Sequence, residues 1–306
     1  KNIGIVTGIG CPYLCRFCSR SVIKPRLRSI DSIIREIKYC SDEFGVNGVR
    51  FLDDLLIINE KRTLELCQKI KPMNMVWSGQ ARTNLLNEKL SRALKESGCI
   101  GLGFGYETGS DRLLTAMKKG TSITKHKEAT LAAKNSDLSI RVQIMFGYPG
   151  ENRESIEETI RFFKDIQIPP RRFNVLTPLP GSEVYEDCLN QGIIVDQDEY
   201  LTKVSQMDAG FGKKKMLINL TEMTDKEFED LLLYAEQKME DNYKIIFQRT
   251  NKLWFLLPVK YNLKKLKHIF KPDAWKRKLN QWFFKDDNGL LSKKEIEDQY
   301  FHLDQI

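Results

Sequence analysis

Short runs of apolar and β-branched residues alternate along the chain with longer stretches in which apolar residues recur every three or four positions. This alternation predicts parallel strands joined by helical crossovers, the pattern of an α/β fold. The six predicted strands are Ile3–Thr7, Gly48–Leu52, Met75–Gln80, Ile100–Tyr106, Ile140–Phe146 and Arg172–Thr177. The helices predicted between them are Ser32–Phe44 with Asp31 as its N-cap, Glu60–Ile70, Glu88–Ser97, Ser110–Met117, Lys125–Lys134 and Ser155–Asp165. Six such units fit a partial barrel or a doubly wound open sheet.

After about Gly192 the pattern changes to helices alone. Thr221 and the stretch 224–227 carry capping signals before a predicted helix at Phe228–Glu240. A chain of 306 residues, 41% hydrophobic and 29% charged, is long enough for one full core and an appended piece. We therefore predict a core domain at residues 1–192 and a mainly helical C-terminal extension at residues 193–306.

Three cysteines, Cys11, Cys15 and Cys18, follow the first predicted strand within eight residues. A structural zinc site normally has four protein ligands, whereas this group supplies three and no histidine is near it in sequence. Ligation by cysteine alone suits an iron–sulfur cluster, and a [4Fe–4S] cluster held by three thiolates keeps one iron free for a small molecule. A zinc knuckle or a group of redox-labile thiols is the alternative interpretation.

The spacing Cys11-x-x-x-Cys15-x-x-Cys18, with Phe17 before the last cysteine, resembles the signature of the radical S-adenosylmethionine (SAM) superfamily. The resemblance implies that the free iron chelates the amino and carboxylate groups of SAM, and that one electron cleaves SAM to a 5′-deoxyadenosyl radical. It also implies a partial (β/α)6 TIM-type barrel with its active site at the carboxyl ends of the strands. A reductant such as flavodoxin or ferredoxin would supply the electron.

Later motifs extend this resemblance to about residue 190. The adjacent carboxylates after the second strand match a loop that approaches the SAM ammonium in the family, although a turn is the simpler interpretation of such a pair. The glycine-dense fourth strand ends in Glu107, which matches the acidic residue that binds the cofactor ribose or amino group. The cofactor-binding residues that the resemblance implies are Phe17, Asp53, Asp54, Gly105, Glu107, Gln143, Gly147, Pro149 and Gly150.

Two other interpretations of these stretches are open. A glycine-rich strand can precede a phosphate loop, but no Gly-Lys-Ser/Thr pattern follows here. Arg82, after the third strand, is placed either to orient a carboxylate or substrate or to pair with an acidic neighbour.

The fourth to sixth motifs most resemble the cobalamin-associated branch of the family, whose reactions include methylation of unactivated carbon and oxidative ring formation. In that branch cobalamin is bound through a domain that would lie ahead of Lys1. One alternative is RNA modification of the methylthiotransferase type. Another is a non-catalytic iron–sulfur or metal-binding module for electron transfer, although an electron carrier would use four thiolates and a small fold.

The remaining cysteines and the histidines give no second site in the sequence. The cysteines predicted to be small buried hydrophobes are Cys40, Cys67, Cys99 and Cys188. The histidines predicted to lie on the surface are His126, His268 and His302. Seven cysteines without a secreted disulfide framework indicate a reducing compartment, and no signal peptide or long apolar run is present. We therefore expect a cytoplasmic protein.

Residues 244–285 hold twelve lysines and arginines against one acidic residue, Asp273, with tryptophan and phenylalanine interleaved. The formal charge of the whole chain is +8. Such a segment predicts a helical cap with a solvated basic face, and the first alternative is a surface that lies on anionic lipid. Nucleic acid is a less favoured partner. The lipid interpretation places the enzyme at the inner face of the membrane, acting on a lipid-linked substrate.

Overall fold

The computed structural model describes residues 1–19, 24–168, 173–207 and 216–250, with side chains as far as residue 242. The sequence predictions for the basic segment 244–285, for His268 and for His302 lie outside the side chains described. Among the described residues, no helix is both long and apolar enough to cross a bilayer.

Six parallel strands form the main sheet in the same order as they occur along the chain. The strands, in chain order, are β1 (Asn2–Ile5), β2 (Gly8–Ile9), β3 (Arg26–Leu27), β4 (Gly48–Phe51), β5 (Val76–Ala81), β6 (Cys99–Glu107), β7 (Ile140–Phe146) and β8 (Asn174–Val175). The order in the sheet is β1-β4-β5-β6-β7-β8, with every neighbouring pair parallel. A doubly wound sheet would reverse its strand order at a switch point. The curled sheet is therefore a partial TIM-type barrel, and the predicted α/β fold class is confirmed.

Helices connect the strands and cover the sheet. They are α1 (Ile30–Phe44), α2 (Glu60–Ile70), α3 (Glu88–Glu96), α4 (Asp111–Ala116), α5 (Ile123–Asn135), α6 (Arg153–Asp165), α7 (Glu183–Asn190), α8 (Gln197–Ser205) and α9 (Asp225–Thr250). In α1 the residues Ile33, Ile37 and Cys40 lie on one buried face, as the helical periodicity predicts. The prediction that Asp31 is the N-cap of α1 is wrong. The N-cap is Ser29, whose hydroxyl accepts the capping hydrogen bond from the Ser32 N–H.

The short strands β2 and β3 pair in the antiparallel direction and form a ribbon beside the sheet. Each strand has only two residues, which is too few for an alternating pattern, so the sequence analysis did not predict them. The ribbon joins the two ends of the loop that carries Cys11, Cys15 and Cys18. It follows β1 directly, and it therefore places that loop at the carboxyl end of the first barrel strand.

The core lies between the sheet and its helices, with Phe51, Trp77 and Phe104 among its largest buried side chains. The four cysteines predicted as buried hydrophobes, which are Cys40, Cys67, Cys99 and Cys188, are all buried, so that prediction is confirmed. Desolvation by burial raises the pKa values of Cys67 and Cys99, which is consistent with inert thiols.

His126 is fully buried, so the prediction that it lies on the surface is wrong. Its Nε2 lies 3.2 Å from the carbonyl oxygen of Tyr106, which accepts a hydrogen bond, and its Nδ1 lies 2.8 Å from the Thr83 hydroxyl. Burial, followed by the charge of Lys119, lowers the pKa of His126 to about 3. The two polar partners explain how a histidine is accommodated in the core, because both ring nitrogens are hydrogen-bonded.

The described part of the C-terminal extension packs against the barrel. In α9 the side chains of Phe228, Leu231 and Ala235 are buried in the same cluster as the sheet. Thr224 and Glu227 exchange hydrogen bonds at the start of this helix, which confirms the predicted capping signal. The division of the chain at residue 192 stays a prediction.

Candidate active site

The loop that carries the three cysteines is fixed to two neighbouring segments. The Arg16 N–H donates to the carbonyl of Met117 at 3.0 Å, and the Arg16 carbonyl accepts from the Val184 N–H at 3.1 Å. The Arg16 side chain forms ion pairs with Glu183 and Asp187 in α7. Backbone and side-chain contacts therefore hold the loop across the carboxyl ends of the later strands.

The three thiols differ in exposure. Cys15 is buried and Cys11 is half-buried, whereas Cys18 taken as a whole residue is exposed. Partial burial of the Cys18 thiol nevertheless raises its pKa, the neighbouring Cys15 and Cys11 raise it further, and Lys119 lowers it. Among the described residues, no three His, Cys, Asp or Glu side chains converge on one point that would bind a single metal ion. The three cysteine ligands of a [4Fe–4S] cluster each bind a different iron, so they need not converge in this way.

Arg82 lies directly after β5 and its guanidinium packs inside the cysteine loop. Its carbon Cζ lies 3.7 Å from the centre of the Tyr13 ring, and its Nη1 lies 3.5 Å from the Cys15 sulfur. The Asn84 amide donates to the Tyr13 hydroxyl at 3.1 Å and so holds the ring in place. The cysteine loop is thus joined to the end of β5 through its own aromatic residue.

Glu107, the last residue of β6, forms a buried ion pair with Lys119. The Lys119 Nζ lies 2.6 Å from Glu107 Oε1 and 5.4 Å from the centre of the Phe17 ring. The backbone of Glu107 is left-handed, with a φ of 64°. A Cβ atom at Gly105 would lie only 2.2 Å from Glu107 Oε1, so the absence of a side chain there makes room for the pair. The pair joins β6 to the aromatic residue before Cys18.

The two carboxylates after β4 have different surroundings. Asp53 is buried, and its oxygens accept hydrogen bonds from the N–H and the hydroxyl of Thr7. Asp54 is exposed, and its Oδ2 accepts from the N–H of Gly10 beside the first cysteine. Asp53 therefore fixes the chain where it leaves β1, whereas Asp54 faces the cysteine loop and is accessible.

The loop after β7 contains the remaining predicted residues. Gln143 is half-buried in β7 and pairs across the ladder with Gly105. Gly147 and Gly150 have φ values of 93° and 79°, which favour glycine. The Arg112 guanidinium donates to the carbonyl of Gly150 at 2.8 Å.

Glu151 holds this loop from inside the protein. Its Oε2 accepts a hydrogen bond from the Gly147 N–H, while its Oε1 has no partner among the described residues. Burial raises the pKa of Glu151 to about 8, so the carboxyl is largely protonated near neutral pH. The exposed Pro149 lines a cavity of about 390 Å³ that also borders Arg16 and Asp187.

The structure brings most of the predicted residues to the same edge of the sheet, because they follow a parallel strand or end it, whereas Gly105 and Gln143 lie within β6 and β7. The sequence analysis gave no role to Lys119, Tyr13 or Glu151. No spacing rule in the sequence links Lys119 to Glu107 or Tyr13 to Arg82.

A comparison with protein families matches residues 5–163 to the model described as the Radical SAM superfamily. A search of curated proteins finds an uncharacterized methyltransferase of Pyrococcus horikoshii, 33% identical over 196 residues, which are 62% of this chain and 43% of that protein. It also finds the anaerobic magnesium-protoporphyrin IX monomethyl ester cyclase of Cereibacter sphaeroides, 26% identical over 199 residues, which are 62% of this chain and 32% of that protein.

Among solved structures, the radical S-adenosylmethionine methyltransferase TsrM from Kitasatospora setae, with cobalamin and a [4Fe–4S] cluster bound, has a similar fold. The TM-score is 0.57 at 18% identity, and the match covers 61% of this chain and 36% of TsrM. The matching part of the chain thus spans less than half the length of each of these three proteins.

Proposed function

Since the chain belongs to the radical SAM superfamily, we propose that Cys11, Cys15 and Cys18 hold a [4Fe–4S] cluster whose fourth iron binds SAM. When bound, the cluster supplies one electron that cleaves SAM reductively to methionine and a 5′-deoxyadenosyl radical. Members of this superfamily bind both cofactors and depend on a reductant such as flavodoxin. The proposal rests mainly on the cysteine loop, which is held at the carboxyl end of a partial barrel by its backbone hydrogen bonds. This loop carries three thiols, and no fourth ligand lies near them in sequence.

The donor set and its surroundings fit an anionic cluster. Three thiolates and a [4Fe–4S] core in its oxidised state together carry net negative charge. In the folded chain the cations of Arg82 and Lys119 lie near the thiols. Loading the site therefore adds negative charge beside positive charge, which is favourable in a partly buried setting. A loop lined by carboxylates alone would oppose the same step.

Three groups at the carboxyl ends of the strands are proposed to bind SAM. We propose that Asp54 accepts a hydrogen bond from the SAM ammonium, because it is exposed beside the cysteine loop. Glu107, held by Lys119, is proposed to bind the ribose or amino group. The Gly147–Gly150 loop, whose backbone is fixed by Glu151, is proposed to lie against the adenosine.

The reaction beyond SAM cleavage is proposed from the relatives. Those reported above are named as methyltransferases and as a cyclase. We propose that this chain is the barrel of an enzyme of the same group, which either transfers a methyl group to carbon or oxidises its substrate to a ring. The two types differ in products, because methyl transfer also forms S-adenosylhomocysteine, whereas radical abstraction alone forms 5′-deoxyadenosine.

The test is anaerobic reconstitution of the full chain with iron and sulfide, followed by addition of dithionite and SAM. We expect a broad iron–sulfur absorption and the release of methionine and 5′-deoxyadenosine, both measured by mass spectrometry. Cys15→Ser should abolish product release, whereas Cys188→Ser, which changes a buried thiol outside the loop, should retain it. A protein that binds zinc alone, or a Cys15→Ser variant that still cleaves SAM, would reject the proposal.

We further propose that the basic and aromatic segment 244–285 lies against anionic lipid and that the substrate is lipid-linked. The support is compositional, since lysine stems and interleaved tryptophans suit a headgroup region. Flotation with anionic and with neutral vesicles tests this. Binding should require the anionic lipid, weaken with salt and disappear in a chain that ends at Tyr243. Equal recovery with both kinds of vesicle would exclude it.

A further inference from the structure

The guanidinium of Arg82 is a buried cation without a carboxylate partner among the described residues. The residue is only 8% exposed, and none of the ion pairs in the described part of the chain includes it. Its Nε and Nη2 have no hydrogen-bond partner there. Arginine keeps its charge at any relevant pH, so this residue has no neutral form that would reduce the cost of burial.

The surroundings of Arg82 fix the direction in which its charge points. The Tyr13 ring stacks on one face of the guanidinium at 3.7 Å, and Asn84 holds the Tyr13 hydroxyl. The remaining contact is Nη1 to the Cys15 sulfur at 3.5 Å, which is a hydrogen-bond distance for sulfur. Cys15 lies in the loop after β2 whereas Arg82 follows β5, so the contact requires the native arrangement of loop and sheet.

We propose that Arg82 is a positioning residue that donates a hydrogen bond to the Cys15 thiolate and raises the reduction potential of the cluster bound there. Hydrogen bonds to cysteine sulfur and the net charge near the cluster are two of the factors that set such a potential. One-electron reduction adds a negative charge to the cluster, and a fixed cation at Cys15 stabilises this reduced form more than the oxidised one. The proposal rests on the proposed function, since it requires the cluster.

The sequence analysis left Arg82 with two roles, to orient a carboxylate or substrate or to pair with an acidic neighbour. An acidic neighbour on the rim is not found among the described residues. The guanidinium points at a thiol ligand, and its function is therefore assigned through Cys15. This assignment also explains why an aromatic residue, Tyr13, lies between the first two cysteines: it holds the guanidinium in place.

The experiment is an EPR-monitored redox titration of the full chain after anaerobic reconstitution, without any substrate. The variants are Arg82→Met, which removes the charge and the donor, and Arg82→Lys, which keeps the charge but lacks the planar fork. Arg62→Met is the matched control, because the Arg62 guanidinium donates to the Thr7 carbonyl and not to sulfur. Arg82→Met should lower the equilibrium constant for one-electron reduction at least tenfold, or about 59 mV. The equilibrium constant of Arg82→Lys should lie between those of Arg82→Met and the unsubstituted chain. Arg62→Met should change this constant less than threefold.

A second measurement detects the contact between Arg82 and the cluster directly. In the unsubstituted chain labelled with guanidino-15N arginine, pulsed EPR of the reduced cluster should show a 15N coupling, and the Arg82→Lys chain should lose it. An equilibrium constant for one-electron reduction of Arg82→Met within threefold of that of the unsubstituted chain, or no 15N coupling in the labelled chain, would overturn the role of Arg82 while leaving the proposed function intact. Failure of the unsubstituted chain to form a [4Fe–4S] cluster would overturn both.

Discussion

The buried ion pair between Glu107 and Lys119 gives the sharpest prediction about stability. Both side chains are about nine-tenths buried, and the distance between Lys119 Nζ and Glu107 Oε1 is 2.6 Å. Replacing Lys119 by Met keeps most of the side-chain volume but leaves a carboxylate buried beside Phe17 without its cation. Breaking a buried pair in this way typically costs about 3 to 5 kcal/mol of unfolding free energy.

In thermal unfolding, a loss of this size lowers the melting temperature by roughly 6 to 20 °C, at about 2 to 4 °C per kcal/mol for a domain of this size. The neighbouring Lys118 is the control, because it forms an exposed ion pair with Glu183 at 2.8 Å. Such surface pairs contribute only about 0 to 1 kcal/mol. Lys118→Met should therefore lower the melting temperature by at most about 4 °C.

The assay is far-ultraviolet circular dichroism of the unsubstituted chain, the two lysine variants, Glu107→Gln and the double variant Glu107→Gln/Lys119→Met. Because each single change at the pair leaves the other group unpaired, the double variant should be more stable than the sum of the single effects predicts. Equal shifts for Lys119→Met and Lys118→Met, or full additivity in the double variant, would refute the reasoning that this pair is buried and coupled.

Three further predictions concern the carboxyl groups of Glu151, Asp53 and Asp54. The raised pKa of Glu151, about 8, means that its contribution to stability is full below its unfolded value near 4.5 and is lost as pH rises through 8. Thermal melts between pH 5 and 8 should therefore show Glu151→Gln gaining stability relative to the unsubstituted chain as pH rises, with Glu154→Gln, a change at an exposed glutamate of α6, as the control. Asp53→Asn should cost about 1.5 to 3 kcal/mol, because Asp53 accepts both Thr7 hydrogen bonds. Asp54→Asn should leave the melting temperature nearly unchanged but weaken SAM binding about ten- to a hundredfold, as measured by equilibrium dialysis. Parallel pH profiles for the two glutamate variants, or equal effects of the two aspartate changes on SAM affinity, would contradict these assignments.

The periodicities of 2 and 3.6 residues were sufficient to predict the six barrel strands and most helices to within a few residues. They were not sufficient for β2 and β3, which are two-residue strands, or for the N-cap of α1, where Ser29 and Asp31 are both suitable capping residues. The prediction that His126 lies on the surface was wrong. Its neighbours in sequence are polar, whereas its hydrogen-bond partners Thr83 and Tyr106 come from other elements.

The site was predicted in outline because its residues follow the ends of strands and a family resemblance marks them. The contacts that distinguish their roles are long-range in sequence. Asp53 and Thr7 are 46 residues apart, and Arg82 and Cys15 are 67 residues apart. Neither pair has a local pattern, so only the folded chain separates the buried Asp53 from the accessible Asp54.

The central claim is that the three cysteines hold a [4Fe–4S] cluster with one iron open to SAM. The most direct measurement is the EPR spectrum of the reduced, reconstituted chain before and after addition of SAM. We predict a [4Fe–4S] signal of spin one-half whose g-values change when SAM is added, because SAM binds an iron that has no protein ligand. A cluster signal that is identical with and without SAM, or a protein that contains no iron–sulfur cluster after reconstitution, would contradict the claim.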